Sequence, residues 1–127
     1  MNHPIRVLTV NSDKRLLDSR ALLLQGLHYQ VNTATDFFQI QSISNPETFE
    51  VAVIEHVDPP SELDYVARLI RKRWPKAQIL ILSGVTPLLD DALYDERVAS
   101  SQLDELIEGI AKLAERSSLR ESPPWPI

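Results

Sequence analysis

The chain has 127 residues, of which 43% are hydrophobic and 24% are charged, and its formal net charge is −5. This length suits one domain, and the apolar fraction is enough for a buried core. The negative charge argues against a general nucleic-acid or anionic-membrane binder, because such proteins concentrate positive charge.

The absence of cysteine excludes disulfides, thiolate metal sites and cysteine catalysis, and it fits a reducing compartment. The first residues, Met1-Asn2-His3-Pro4, lack the charged and apolar regions of a signal peptide. No apolar run approaches the roughly 18 residues that a membrane helix needs. We therefore expect a cytoplasmic protein that does not enter a membrane.

A β-branched apolar run over residues 5–10 opens the chain and predicts a strand covered on both faces. Asp13 is one of three successive N-cap candidates for a helix that begins at Lys14 and ends near Gly26. The predicted core stripe of this helix consists of Leu16, Leu17, Ala21, Leu22, Leu23 and Leu24.

The next two strands differ in polarity. Residues 29–34 include polar side chains and predict an edge strand, whereas residues 49–54 are apolar except for Glu50 and predict a central one. Between them, Thr35 or Asp36 caps a short helix. That helix ends at Asn45-Pro46, because the residue before proline avoids helical angles.

Pro59 and Pro60 form a rigid loop before the third predicted helix, which ends at Trp74-Pro75. Ser61 and Asp64 have the spacing of a capping box for it. Residues 78–82 predict the fourth strand, since residues 79–82 are uniformly apolar.

The last part of the chain has room for only a shortened fourth helix, Leu88 to Tyr94, and a weak fifth strand, residues 97–100. Ser101 and Asp104 then cap a final helix with a long apolar stripe. The domain is predicted to span residues 1–116, and residues 117–127 a flexible, proline-rich tail.

Alternating strands and helices predict a parallel sheet with helices on both faces, joined by right-handed crossovers. The expected fold class is α/β, a flavodoxin-like, doubly wound, five-stranded sheet of order 2-1-3-4-5. Its crevice lies where the first and third strands end, at Asn11, Ser12 and Glu55.

At these residues the chain resembles the receiver domain of two-component response regulators, over residues 5 to about 116. Receivers carry an acid pair after the first strand, and here that pair falls on Asn11 and Ser12. The phosphoacceptor aspartate falls on Glu55, and the family's proline falls four positions later on Pro59.

The two remaining positions of the family's pattern follow the later strands. The conserved hydroxyl of the family falls on Ser83, and its lysine falls on Ser100, with Ser101 in place of proline. Of the whole pattern only Ser83 and Pro59 match in residue type. The resemblance therefore implies a receiver fold with a degenerate phosphorylation site, a pseudo-receiver.

The missing groups predict that the chain neither accepts phosphate nor binds Mg²⁺, and that it uses no cofactor. Asn11 and Ser12 are neutral, so a divalent cation would meet a single carboxylate. Without the lysine, nothing offsets charge on a transferring phosphoryl group. Glutamate at position 55 also moves the carboxylate by about one methylene from the position in-line attack requires.

Two hypotheses for Glu55 stay open at this stage. Its carboxylate could imitate a phosphorylated aspartate near Ser83 and hold an active-like conformation. Alternatively, it is a polar strand end, wetted by solvent and satisfied by backbone N–H groups. Lys14 or Arg15, at the start of the first helix, is the expected ionic partner.

Other candidate groups have simpler interpretations. Asp13, with Glu55 and Asp58, could form a weak cation site, although an acid at position 13 is typical of a helix cap. The three histidines, His3, His28 and His56, have no ligand spacing. The basic cluster Arg68, Arg71, Lys72 and Arg73 has helical spacing and is interpreted first as a solvated face, then as a docking patch.

The leading functional hypothesis is a stand-alone, non-enzymatic signalling protein that binds another signalling protein without being phosphorylated. No output domain follows the last helix, so the output is expected to come through partners. Candidate contact regions are the last helix, Pro87–Tyr94 and the tail with Trp125. Self-association through the fifth strand and last helix is a further prediction, and neither nucleic acid nor membrane is an expected partner.

Two alternatives remain. The first is a small ligand-binding protein or enzyme that uses Glu55, Ser83 and Ser100 around the crevice, on a fold that hosts many functions. No histidine is placed beside a serine there, so a nucleophile–base pair is lacking. The second is a phosphorylated regulator in an unusual register, which requires Asp13 and Asp58 to enter the site.

Overall fold

The computed structural model describes residues 4–44, 48–58, 60–82, 94–98 and 103–121, and the side chains of residues 60 and 117–121 are left out of that description. The elements follow the predicted alternation. They are β1 (Arg6–Asn11), α1 (Lys14–Gly26), β2 (Gln30–Ala34), α2 (Phe37–Gln41), β3 (Val51–His56), a 3₁₀ turn (Pro60–Glu62), α3 (Leu63–Arg73), β4 (Gln78–Leu82), β5 (Glu96–Val98) and α4 (Leu103–Glu121).

The five strands form one parallel sheet of order β2-β1-β3-β4-β5, which confirms the predicted fold class. Helices cover both faces. One core layer joins α2 and α3 to the sheet, and the other joins α1 and α4 to it. Of the shortened fourth helix predicted over Leu88 to Tyr94, residues 88–93 lie outside the described part, and Tyr94 is not helical. No helix of the described part is long and apolar enough to cross a membrane.

The α1 helix begins as predicted, but its leucines are used differently. Asp13 is the N-cap, and its Oδ1 accepts hydrogen bonds from the backbone N–H groups of residues 15 and 16. Only Leu17 and Leu24 are fully buried. Leu16 and Leu22 are 47% and 71% exposed, so the predicted core stripe was too wide. A helix on a sheet buries only the side chains that point at the sheet.

The start of α3 corrects a second prediction. Ser61 and Asp64 do not form a capping box, since the N-cap is Glu62 and no side chain caps it. Instead, the chain enters α3 directly from the 3₁₀ turn that precedes it. Asp64 pairs with Arg68, one helical turn later, at 2.7 Å. The cap of α2 is Asp36, and this helix ends at Gln41, short of Asn45.

The C-terminal helix is longer than predicted. The α4 helix continues through Glu121, so residues 117–121 belong to it and not to a tail, and residues 122–127 lie outside the described part. Lys112 on α4 pairs with Glu96 on β5 at 3.0 Å. The hydrogen bond from Lys112 lowers the pKa of the Glu96 carboxyl. The same contact joins the helix to the edge strand.

Arg73, at the end of α3, holds the end of α2. Its Nη1 donates to the Ile40 carbonyl at 2.6 Å and its Nη2 donates to the Ile43 carbonyl at 2.6 Å. Its guanidinium also lies over the Trp74 ring, 4.7 Å from the centroid. These bonds tie the end of α3 to the backbone at and just beyond the end of α2. Arg73 is therefore part of the fold and not of a free basic face.

Arg73→Met should lower the free energy of unfolding by about 2–3 kcal/mol, because charge-assisted bonds to α2 carbonyls are lost. Urea unfolding followed by circular dichroism measures this. Lys72→Met, at the exposed neighbouring position, is the matched control and should change stability by less than about 0.5 kcal/mol. Equal stability of both variants would show that the Arg73 contacts contribute nothing.

Candidate functional site

The ends of β1 and β3 place Asn11 and Glu55 on the same side of the sheet. Side chains alternate along a strand, and Val51 and Val53 pack in the layer beneath α1 and α4. Glu55 continues that alternation and therefore faces α1. Asn11 does the same on β1, following Val7 of the same layer.

A register shift next to Asn11 adjusts the position of Glu55. Val10 pairs with Ile54, but Asn11 pairs with His56, so Glu55 is the extra residue on β3. Such an irregularity bends a strand locally and re-aims a side chain. Here it accompanies a direct contact between the two strand ends, since Asn11 Nδ2 donates to Glu55 Oε2 at 2.6 Å.

The second carboxylate oxygen of Glu55 meets a cation. Arg20 Nε on α1 lies 2.7 Å from Glu55 Oε1, and the two side chains are 16% and 4% exposed. Neither atom has a hydrogen-bond partner among the described residues. The contact is thus a short ion pair whose N–H is not aligned with the oxygen, and Coulomb attraction rather than hydrogen bonding holds it.

Asn11 uses its remaining polar atom on the following turn. Its Oδ1 accepts a hydrogen bond from the Asp13 backbone N–H at 2.9 Å. The side chain therefore joins β1, the cap of α1 and β3 through one amide. At 1% exposure, Asn11 is as buried as the apolar core.

Ser12 connects three loops at the carboxyl edge of the sheet. Its backbone N–H donates to the His56 carbonyl at 3.0 Å. Its Oγ accepts from the Asp58 backbone N–H at 2.8 Å and lies 3.4 Å from the Thr35 carbonyl. The hydroxyl thereby holds the loops after β1, β2 and β3 together, a structural role for the position.

The structure thus brings together Asn11, Ser12 and Glu55, whereas Ser83 and Ser100 lie outside the described residues. The expected partner of Glu55 was wrong. Lys14 pairs with Asp18 at 3.2 Å on the exposed face of α1. The solvent-wetted interpretation of Glu55 was wrong as well, because its side chain is enclosed and is held by side chains rather than by backbone N–H groups.

Sequence reasoning missed Arg20, although a signal was present. Arg20 follows Leu17 by three positions and precedes Leu24 by four, so it lies on the one face of α1 that is buried. A cation among inward-facing positions needs a buried anion nearby. Glu55 is that anion.

The weak cation site also has a different explanation. Asp13 is occupied as the cap of α1. Among the described residues, no group of three or more His, Asp or Glu side chains is placed to hold a metal ion. His56 ends β3 with an exposed side chain.

This arrangement of strands, helices and crevice has counterparts among solved structures. A receiver domain (CheY-like) from Methanospirillum hungatei JF-1 superposes with a TM-score of 0.73 at 19% identity, over 93% of this chain and 99% of that one. The receiver domain of an HD domain-containing protein from Pseudomonas fluorescens Pf-5 has a TM-score of 0.73 at 18% identity, over 97% and 96%. The fold is that of a receiver domain.

A structure described as adenylate cyclase from Rhodopirellula baltica has a TM-score of 0.80 at 18% identity, over 93% of each chain. At these identities the likeness concerns the fold alone. No protein-family model matches the chain, and no curated protein sequence matches it significantly.

Arg20→Met should lower the free energy of unfolding by about 2–4 kcal/mol, because it leaves the enclosed Glu55 carboxylate without its cation. Adding Glu55→Gln to it should recover most of that loss, since a neutral amide oxygen still accepts from Asn11. Lys14→Met, which breaks only an exposed pair, is the control and should cost less than about 0.5 kcal/mol. Urea unfolding of the wild type, of Arg20→Met and Glu55→Gln singly, and of the double variant measures the coupling, and additive effects of the two changes would contradict it.

Proposed function

We propose that this chain is a receiver-like signalling protein that has lost its phosphorylation site and acts by binding another protein, independently of phosphorylation. The observation that carries this proposal is the closed environment of Glu55. One carboxylate oxygen accepts from Asn11 and the other contacts Arg20. A carboxylate held in this way presents no free oxygen to attack a phosphoryl donor.

The same contacts bear on magnesium. Mg²⁺ requires oxygen ligands in near-octahedral geometry and is held by one or two carboxylates with phosphate oxygens and water. Asn11 directs its amide nitrogen toward Glu55 and its oxygen toward the turn. Arg20 already neutralises the remaining charge, so a divalent cation would have to compete with a fixed guanidinium.

The balanced charge of Glu55 favours a protein that binds its partner constantly over one that switches between two conformations. In the receiver fold, a phosphoryl group would bring up to two negative charges to this edge. Glu55 brings one, and Arg20 balances it within the molecule. We therefore favour a single charge state of this edge over the hypothesis that Glu55 imitates a phosphorylated state. A partner would then recognise a static surface.

The enzymatic alternative has less support. Among the described residues at the crevice, the hydroxyl of Ser12 is bonded to backbone groups of the neighbouring loops, and Ser83 and Ser100 lie outside the described part. An activated nucleophile needs an adjacent base to take its proton. The backbone groups around Ser12 supply none. For this reason we assign the chain a binding role and no reaction, with the absence of cysteine favouring action in the cytoplasm.

For the partner we propose another signalling protein, and we also propose self-association through β5 and α4. A groove of about 450 Å³ lies between these elements. Its lining carries both signs of charge, from Arg97 and Lys112 on one hand and Glu105 and Glu108 on the other. Mixed charge of this kind suits a two-fold contact, in which each residue meets its opposite on the second copy.

Incubation with acetyl phosphate and Mg²⁺ should leave the mass of the intact protein unchanged, because Glu55 is blocked and magnesium lacks a second carboxylate. Intact-protein mass spectrometry measures this directly. A mass increase of one phosphoryl group that disappears in Glu55→Gln would overturn the proposal. Beryllofluoride and Mg²⁺ seated at Glu55 in a crystal would do the same.

The binding role has its own measurement. The wild-type protein and the Glu55→Gln variant, each immobilised, should retain the same partner from native extract. The yield should be equal after acetyl phosphate treatment and after magnesium chelation. A partner that is retained only after treatment with acetyl phosphate and Mg²⁺, and is lost after magnesium chelation, would show that phosphorylation controls binding, contrary to the proposal.

A further inference from the structure

The α3 helix has two different surfaces. Leu63, Val66, Ala67 and Ile70 are buried against the sheet. On the other side, Tyr65, Arg68 and Lys72 follow one another at intervals of three and four residues, so they form one exposed stripe. Tyr65 is 64% exposed, and the Arg68 side chain is 60% exposed.

The neighbouring α2 helix displays an aromatic side chain on the same side of the sheet. Phe38 is 72% exposed, whereas Phe37 packs against the core beneath. The Phe37 ring meets the Phe38 ring edge-on, with centroids 6.0 Å apart and an interplanar angle of 88°. An exposed ring held in a defined position loses little conformational entropy when a partner covers it.

Arg73 connects this short helix to α3. By bonding to the carbonyls of Ile40 and Ile43 it fixes α2 against α3. Two of the four basic residues predicted as one cluster are thus engaged within the fold. Arg73 bonds to the backbone at the end of α2, and Arg71 pairs with Asp95 at 3.1 Å. The remaining two, Arg68 and Lys72, stay on the surface beside Tyr65.

The surface charge of these residues contrasts with the chain as a whole, whose net charge is −5. Arg68 contacts Asp64 in an exposed pair one turn apart, and such pairs are weak and exchange easily for a better anion. Lys72 is exposed at the next turn. Arg68 and Lys72, on the same stripe as Tyr65, therefore give this acidic protein a local surface complementary to an acidic, apolar segment.

We propose that the α2–α3 face, formed by Phe38, Tyr65, Arg68 and Lys72, docks an acidic amphipathic segment of another protein. Apolar residues of that segment would cover the two rings, and its carboxylates would meet the two cations. Nucleic acid fits less well, since it requires several phosphate contacts and the net negative charge of the chain repels it. The inference rests on the proposed binding role and names the surface that performs it.

The test uses the full chain and two labelled helical peptides. Both carry leucines at i, i+3, i+4 and i+7, and they differ only in having glutamate or glutamine at the flanking positions. Fluorescence anisotropy should show tighter binding of the glutamate peptide. Phe38→Ser and Lys72→Glu should each weaken it by at least about tenfold.

Matched controls are available on α1, on the opposite face of the sheet. Leu22 is 71% exposed and Arg15 is exposed, so Leu22→Ser and Arg15→Glu repeat the chemical changes elsewhere. These variants should bind the glutamate peptide as the wild type does. Unfolding curves of all four variants should coincide with wild type, which separates loss of binding from loss of fold.

Several results would overturn the inference. These are equal binding of the two peptides, no saturable binding, or equal weakening by the α1 controls. A single-stranded oligonucleotide that binds more tightly and responds to the same variants would assign the face to nucleic acid. A dimer of the free protein that Lys72→Glu dissociates would assign it to a second copy. If Phe38→Ser retains the partner found in native extract, the face is not used, although the proposed binding role stands.

Discussion

Glu55 is an acidic residue enclosed at the end of a central strand, and an enclosed charge is stable only when groups of the protein balance it. Asn11 supplies a donor from β1, and Arg20 supplies a cation from α1. Three elements that meet at the carboxyl edge of the sheet are thereby joined through one carboxylate. The alternation of side chains in β3, the register shift beside Asn11 and the inward position of Arg20 all serve this contact.

The architecture of the sheet and the interactions of the polar groups at its carboxyl edge can be considered separately. The sheet order and the position of the crevice are those of receiver domains. At the ends of β1 and β3, the polar side chains bond to one another and to neighbouring backbone groups. Ser12 bonds to the adjacent loops, and Asn11 bonds to a turn and to Glu55. A fold can keep its architecture while the interactions of its site change, because packing of the core and chemistry of the loops depend on different residues.

Because Glu55 is enclosed, we look for the proposed binding role on the outer surfaces of the helices. On the α2–α3 face, Arg73 fixes the backbone from which Phe38 projects. On the opposite side, charges of both signs line the groove beside β5. These two surfaces differ in character, since the first combines aromatic rings with cations and the second has balanced charge. The first is the surface that we propose for an acidic segment, and the second is the one that we propose for self-association.

The local sequence determined the strands, the fold class and the residues at the carboxyl edge, because apolar runs and turn residues report directly on backbone conformation. Asn11, Ser12 and Glu55 could be placed there, Asp13 was correctly favoured as a helix cap, and Asp36 was one of two candidates for the cap of α2.

Only the tertiary structure decided which helix residues are buried and which groups they meet. Leu16 and Leu22 are exposed, and Arg20 rather than Lys14 or Arg15 meets Glu55. The physical reason is that helical periodicity specifies which residues share a face. It does not specify which part of that face the sheet covers, and that depends on how distant segments pack.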